Sequence, residues 1–309
     1  MAIEKISIEN FTVFDNIEID FCKGVNIFIG ENGTGKTTLI REAYNKIKTI
    51  IYHRNLPNVA GKMVFDDGIN SFQTDNIAIT VDIKENLQAV YIPTKDTLSM
   101  SNITRVNDRY SRELNIEQPL VEIIKIAQNL VPNEPSELAI KIAPILEDII
   151  DGTVFVKESD LTFWVRKRSG LEVPFSAEAE GFRKLGPLWQ LLMNESITKD
   201  TVLFWDEPEA NLHPKLIPVL VDILLEISRE GVQIFLATHE YRLARYFDLK
   251  KENQEEIVFH NLYRKDDDKI IRYEYSQKYK DLKNNDIEDA DEDFGDLVIQ
   301  KAIEELDNL

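Results

Sequence analysis

The chain of 309 residues has a single cysteine, Cys22, and no apolar run that approaches the roughly 20 residues needed to cross a bilayer. One cysteine excludes an internal disulfide framework and is typical of a reducing compartment. The first ten residues, MAIEKISIEN, carry acids and lack the apolar centre of a signal peptide. These absences predict a cytoplasmic protein without a membrane span.

Basic residues are also scarce, because 36 Lys and Arg stand against 55 Asp and Glu, for a net charge of −19. Residues 281–309 are the most acidic segment; we interpret them as a solvated helix, with docking to a basic partner as the alternative. This charge does not favour a nucleic-acid partner, although a local basic groove could still bind one. The candidate basic groups are residues 165–170 with Arg183 and Lys184, and the set Arg105, Arg109 and Arg112.

Glycine is rare as well, yet three of the 12 glycines fall in the stretch GENGTGKTT, residues 30–38. The stretch matches the pattern G-x-x-x-x-G-K-[ST], in which glycines let backbone N–H groups point at phosphate oxygens. Lys36 would reach the β- and γ-phosphates, and the Thr37 hydroxyl would bind Mg²⁺. The predicted ATP-binding residues are Gly30, Glu31, Asn32, Gly33, Thr34, Gly35, Lys36, Thr37 and Thr38.

The flanks of this glycine loop have the periodicity that a phosphate site requires. The apolar run at 24–29 predicts a buried strand, and the spacing of apolar residues over 37–52 predicts a helix. A bound phosphate would then lie at the N-terminus of that helix.

Two further apolar runs end in polar residues that suit the same chemistry. The segment TVLFWDEPEANLHP (201–214) predicts a strand that ends at Asp206 and Glu207. Asp206 would hold Mg²⁺ through water, and Glu207 would take a proton from the attacking water. The segment FLATHE (235–240) places His239 after another strand, where we expect it near the γ-phosphate. The other histidines, His53, His213 and His260, are interpreted as non-functional.

Apolar strands alternating with helices predict an α/β fold with a doubly wound parallel core in a single domain, 1–309. Residues 3–10 and 17–21 have the alternation of edge strands, and 153–166 and 256–276 each predict a hairpin. Residues 112–150 predict two helices inserted outside the nucleotide core. Residues 179–194 predict a helix interrupted near Gly186 and Pro187. Phe155, Phe163 and Trp164 are expected in the core rather than as platforms for stacking on bases.

The order of these motifs resembles the ABC-type ATPase superfamily, with GENGTGKTTL as Walker A and TVLFWDE as Walker B. The segments KISIENFTVFDNIEIDF and WDEPEANLHP are similar to the structural-maintenance-of-chromosomes (SMC), OLD and RecF-like group, which includes stand-alone bacterial ATPases of phage defence. The resemblance covers about 1–50 and 175–263. It implies a P-loop ATPase with an antiparallel N-terminal β subdomain and a helical insert. It also implies Mg-dependent hydrolysis with Lys36, Glu207 and His239 as catalytic residues and Thr37 and Asp206 at the metal.

The resemblance further implies that two copies enclose two ATP molecules, each site being completed by a signature segment of the other copy. The segment SAEAEGFRKL (176–185) has the expected position, and Ala179, Glu180 and Gly181 would contact the partner's ATP. Ala179 stands where the family has serine. A clear glutamine loop is missing, and Thr94 or Lys95 in YIPTKDTLS (91–99) would take its place in the site.

The leading hypothesis is an ATPase that dimerises around ATP and controls a partner effector in trans, in bacterial anti-phage defence or DNA repair. One alternative is the ATPase subunit of a membrane transporter, which the missing glutamine loop and the EANLHP segment disfavour. The other is a nucleotide-gated scaffold with little turnover, which the presence of Glu207 disfavours.

Overall fold

The computed structural model describes residues 2–55, 63–66, 69–74, 77–82, 88–105, 118–265 and 270–307. In chain order, the strands are β1 (Ala2–Phe11), β2 (Phe14–Asp20), β3 (Val25–Ile29), β4 (Met63–Asp66), β5 (Ile69–Thr74), β6 (Ile77–Asp82), β7 (Gln88–Ile92), β8 (Gly152–Lys157), β9 (Thr162–Lys167), β10 (Glu172–Pro174), β11 (Thr201–Asp206), β12 (Gln233–Ala237), β13 (Ile257–Tyr263) and β14 (Arg272–Ser276). The α-helices are α1 (Lys36–Asn55), α2 (Gln118–Ala127), α3 (Glu137–Ile150), α4 (Glu180–Met193), α5 (Ile217–Arg229), α6 (Tyr241–Lys250) and α7 (Asp286–Asp307).

The central sheet has the strand order β14-β13-β3-β12-β11-β7. Its strands are parallel except for β14, which pairs antiparallel with β13. Because β3, β12 and β11 are parallel neighbours, their carboxyl ends meet at one edge. The segments that follow these ends, which begin at Gly30, Glu207 and Thr238, are therefore brought together where open α/β sheets bind ligands.

Alternate residues of the central strands bury two separate cores, one on each face of the sheet. On one face, Phe28, Phe204 and Phe235 pack with the buried side of α1 and with β1 and β2. On the other face, Ile27 and Trp205 pack with helices α2 to α6. Burial on both faces explains why these strands read as continuous apolar runs.

Two antiparallel sheets flank this core. The N-terminal sheet has the order β2-β1-β6-β5-β4, and the smaller sheet has the order β10-β9-β8. The predicted strand, loop and helix at 24–52 are confirmed, as are the antiparallel N-terminal subdomain and the hairpin over 153–166. Of the two predicted edge strands, β2 is an edge, but β1 lies between β2 and β6.

The structure corrects two expectations about helices. Helix α4 runs without interruption through Gly186 and Pro187. Both residues are buried, with Gly186 against the ring of Phe175, so tertiary packing outweighs the poor helix propensity of proline.

The second correction concerns the helical insertion at 112–150. Helices α2 and α3 do not form a separate lobe, since their buried side chains, such as Ile124 and Leu146, belong to the same apolar cluster as the central strands. The amphipathic pattern of these two helices is equally compatible with a separate lobe and with packing on the central sheet. Only the tertiary structure distinguishes these two locations. Residues 112–117 lie outside the described residues.

Candidate nucleotide-binding site

Two glycines of the glycine loop have backbone conformations that residues with a side chain rarely adopt. Gly30 has φ +134°, and a Cβ there would lie 2.0 Å from the carbonyl oxygen of Leu262. Gly35 has φ +95°, and a Cβ there would lie 2.6 Å from Cζ of Phe14. The loop is therefore pressed against β13 and β2, which fix its curvature.

Lys36 begins α1 and folds back into this loop. Its Nζ donates to the carbonyl oxygens of Gly30, at 2.6 Å, and Glu31, at 2.8 Å. Burial lowers the pKa of Lys36, while neighbouring carboxylates, Glu207 first, oppose that shift. The ammonium is thus held inside the loop, where a phosphate oxygen would replace a carbonyl as its partner.

The remaining loop residues differ in their exposure to solvent. Glu31, Asn32, Gly33 and Thr37 are exposed, Gly35 and Thr38 are partly buried, and Thr34 is buried with its hydroxyl donating to the Glu31 carbonyl at 2.9 Å. The exposed residues leave the loop open to a ligand.

The second predicted motif meets the glycine loop directly. The Thr37 hydroxyl donates to Oδ1 of Asp206 at 2.9 Å, and the Thr94 hydroxyl donates to Oδ2 at 3.0 Å. Burial raises the pKa of Asp206, and these two hydrogen bonds oppose the shift. Thr94, one of two residues expected to line the site, therefore reaches it.

This donor set fits magnesium. A hydroxyl and a carboxylate are the hard oxygen ligands that Mg²⁺ takes, together with water and substrate phosphates. Among the residues that the structure describes, no group of three or more His, Cys, Asp or Glu side chains could hold a metal ion. Thr37 and Asp206 therefore suit an ion that arrives with a nucleotide rather than one caged by protein alone.

Glu207 and His239 face each other across the ends of β11 and β12. Oε1 of Glu207 lies 3.1 Å from Nδ1 of His239, and the two side chains are 29% and 49% exposed. Glu207 has φ +46°, an uncommon conformation for a residue with a side chain, and its N–H donates to the Ala237 carbonyl at 2.8 Å. Such strained positions cluster at functional sites.

Sequence reasoning missed two buried charges behind these residues. Lys184, expected in a surface patch, is 8% exposed and donates to the Thr94 carbonyl at 3.1 Å. Burial lowers its pKa to about 8, although carboxylates, Glu209 first, attract the ammonium. Glu209 is also 8% exposed, and burial raises its pKa to about 7. Glu209 follows Asp206 closely in the chain, but no local signal reveals that Lys184 lies nearby.

The predicted signature segment lies at the start of α4. Ala179 is the N-cap residue and has no capping hydrogen bond from its side chain. Ala179 and Glu180 are exposed, while Gly181 is packed so closely that a Cβ would lie 3.2 Å from the Asn211 carbonyl oxygen. Contact of this segment with a partner's ATP stays a prediction.

The basic residues at 166–168 do not present free charge. Arg166 pairs with Glu172, Lys167 with Glu178 and Arg168 with Asp148. Arg183 likewise pairs with Asp96. The side chains of Arg105, Arg109 and Arg112 lie outside the described residues.

The aromatic residues of β8 and β9, and the histidines His213 and His260, pack against or hydrogen-bond to neighbouring residues of the fold. Phe163 is buried in the core, while Phe155 and Trp164 are half-buried beneath the cations of Arg166 and Lys157. His260 is buried and stacked on Phe28, and His213 caps a turn through Lys215 N–H. The side chain of His53 lies outside the described residues.

Two family models match parts of the chain. Residues 122–245 match the family described as AAA domain, putative AbiEii toxin, Type IV TA system, and residues 5–129 match a family described as AAA domain. Each match covers less than half of the chain.

Short stretches match curated proteins. The DNA replication and repair protein RecF of Cytophaga hutchinsonii is 48% identical over 44 residues, which are 14% of this chain and 12% of that protein. RecF of Listeria welshimeri is 45% identical over 40 residues, which are 13% of this chain and 11% of that protein. The chain thus matches these relatives over about an eighth of their length or less.

A solved structure matches over nearly the whole chain. It is the SMC head bound to the C-winged helix domain of ScpA, with a TM-score of 0.50, 13% identity, and coverage of 90% of this chain and 98% of that chain. The comparisons confirm the resemblance to SMC and RecF-like ABC-type ATPases, and the fold is that of an α/β P-loop ATPase. In the part of the chain that the structure describes, no helix combines the length and the apolarity of a membrane span.

Proposed function

We propose that this chain binds MgATP in the glycine loop and hydrolyses it with Glu207. The observation that carries the proposal is the meeting of the two predicted motifs, in which the Thr37 hydroxyl touches Asp206 while Glu207 and His239 face each other next to it. Helix α1 supplies Thr37, the end of β11 supplies Asp206 and Glu207, and the segment after β12 supplies His239. Their convergence is therefore a property of the site and not of one sequence segment.

Each residue has a task that its position supports. Lys36 would exchange its carbonyl contacts for phosphate oxygens, and α1 would direct its N-terminal N–H groups at the same phosphates. Thr37 and Asp206 would hold Mg²⁺, which neutralises phosphate charge when bound. Glu207 would accept the proton of the attacking water, and His239 would orient Glu207 and contact the γ-phosphate.

We further propose that two copies enclose ATP. The glycine loop would supply donors from one side of the phosphates. The start of α4 at Ala179–Gly181, where Ala179 and Glu180 are exposed, would supply N–H groups from a second copy. ADP lacks the γ-phosphate that joins the two surfaces, so hydrolysis would release the partner.

The output of this cycle would be control of an effector in trans, in the cytoplasm. The description of one matching family, a putative toxin of a type IV toxin–antitoxin system, supports an action that involves a second chain. The name of the RecF relatives, DNA replication and repair protein, supports the DNA-repair setting, and anti-phage defence is the other setting that we propose.

Glu207→Gln tests the assignment, because it removes the proton acceptor and keeps the shape of the side chain. We expect ATP binding to persist while the rate of phosphate release falls by about 10²- to 10⁴-fold. Binding is measured with labelled ATP and turnover by phosphate release. The matched control is Glu134→Gln, which changes an exposed carboxylate and should alter neither quantity. Undiminished hydrolysis by the Glu207 variant would refute the role of Glu207.

A further inference from the structure

The segment that carries His239 is clamped by its neighbour Thr238. Thr238 is fully buried, and its hydroxyl donates to Oε1 of Glu209 at 2.6 Å while it accepts from the N–H of Glu240 at 3.0 Å. The Thr238 N–H donates to the Phe28 carbonyl at 2.9 Å. His239 therefore directly follows Thr238, a residue whose backbone and side chain are both hydrogen-bonded to neighbouring segments.

The Thr238–Glu209 hydrogen bond, called the clamp below, has a buried carboxyl group as its acceptor, which is unusual. Oε1 of Glu209 accepts from Thr238, but Oε2 is buried and has no hydrogen-bond partner among the described residues. Burying a carboxylate with an unsatisfied oxygen is costly, so an apolar or amide side chain would be favoured if packing were the only requirement. The turn holds Glu209 firmly, since Ala210 N–H donates to Glu207 O at 3.1 Å and Leu212 N–H donates to Glu209 O at 3.0 Å.

The clamp joins the two segments that carry the catalytic pair. Glu207 and Glu209 follow β11, whereas Thr238 and His239 follow β12, and β11 and β12 are parallel neighbours. The backbone contact from Glu207 N–H to Ala237 O fixes one side of this junction, and the Thr238–Glu209 hydrogen bond fixes the other. The contact of 3.1 Å between Glu207 and His239 joins the same two segments.

We propose that Glu209 is a positioning residue that acts through Thr238 to hold His239 against Glu207. The consequence for hydrolysis depends on the proposed function, but the structural effect on His239 does not. Glu209 itself touches no reacting atom in this scheme.

The test follows the imidazole of His239 by ¹⁵N NMR in the full chain labelled at histidine. His239→Gln identifies the signals of His239, and Glu207→Gln shows how they move when the partner carboxylate is lost. Thr238→Val removes the hydroxyl at nearly constant volume, and Thr238→Ser is the matched control that keeps it. We expect Thr238→Val to move the His239 signals in the nucleotide-free protein and Thr238→Ser to leave them in place.

Glu209 is tested in the same way with Glu209→Ala and, as the control that keeps a carbonyl oxygen for Thr238, Glu209→Gln. The double variant Thr238→Val/Glu209→Ala should displace the His239 signals no further than Thr238→Val alone, because both single changes remove the Thr238–Glu209 hydrogen bond. Additive displacements would show that Thr238 acts through Glu240 instead. If Glu209→Ala does not fold, Thr238→Val and Thr238→Ser still test whether the Thr238 hydroxyl holds His239 in place. Unchanged His239 signals in Thr238→Val would overturn the proposal.

Steady-state ATP hydrolysis provides a second measurement, because a residue that only stabilises the fold would not change kcat selectively. We expect Thr238→Val to lower kcat by about tenfold to a hundredfold without raising KM for ATP, since the glycine loop is untouched. A moved His239 signal with an unchanged kcat would refute the positioning role. A wild-type protein without hydrolysis would refute the proposed function, whereas the NMR comparison would still test the clamp.

Discussion

Glu209→Gln should change how the stability of this protein depends on pH. The Glu209 side chain is 8% exposed, and burial raises its pKa from 4.5 to about 7, against the opposing hydrogen bond from Thr238. Because the folded state holds the proton of Glu209 more tightly than the unfolded chain, the contribution of this group to wild-type stability falls as the pH rises from 4.5 to about 7. Glutamine carries no charge, so the variant should lack this contribution.

The size of the effect follows from the two pKa values. Linkage between about pH 5.5 and pH 8 gives a wild-type loss of about 2 kcal/mol from this carboxyl group. The difference in the free energy of unfolding, variant minus wild type, should therefore rise by about 2 kcal/mol over that range. Lys184 and Glu207 face the same carboxyl group, so the difference between the two proteins reports the ionisation of Glu209 together with its charge interaction with these two side chains.

Urea unfolding at both pH values, followed by circular dichroism, measures this difference. Glu134→Gln is the control for the replacement of a glutamate by glutamine at an exposed position. A constant difference for Glu209→Gln would show that the buried Glu209 carboxyl group does not resist ionisation, and the reasoning from burial would be refuted.

Two further predictions concern the glycines. Gly35→Ala should lower the free energy of unfolding by about 1–3 kcal/mol, because its Cβ would lie 2.6 Å from Phe14 and the backbone has φ +95°. Urea unfolding measures this difference. Gly295→Ala is the control and should not be destabilising, because the added Cβ meets open space there. In the Glu207→Gln background, a cysteine pair near Gly181 and Asn32 should crosslink two copies with MgATP but not with MgADP. Gly181→Glu should abolish that crosslink by placing a carboxylate against the γ-phosphate, whereas Gly181→Ala should retain it. Equal crosslinking with ATP, ADP and no nucleotide would contradict the ATP-dependent sandwich.

Much of the candidate site could be predicted from short segments of sequence. The glycine pattern at Gly30–Thr38 and the apolar runs that end at Asp206 and Ala237 each carry a local signal, because strands buried on both faces are continuously apolar and their polar ends stand out. Parallel pairing then brings those ends together, so the meeting of Thr37 with Asp206 was foreseeable.

Residues whose role depends on distant neighbours were beyond this reasoning. Lys184 follows Arg183 on α4 and has the sequence surroundings of a surface cation, yet the packing of α4 against the core buries it near Asp206 and Glu209. The same packing keeps Pro187 within a continuous helix and places α2 and α3 in the main core. Periodicity reveals that a helix has an apolar face, but it does not reveal which surface that face covers.

The sequence by itself determined the P-loop fold class, the glycine loop and the identity of the polar residues at the strand ends, because these depend on local backbone geometry and on a repeat of apolar residues. Only the tertiary structure decided that Glu209 is tied to Thr238 and that Lys184 faces the carboxylates. The physical reason is that burial and charge interactions act through space. They perturb groups such as Glu209 and Lys184 only after strands and helices far apart in the chain have packed together.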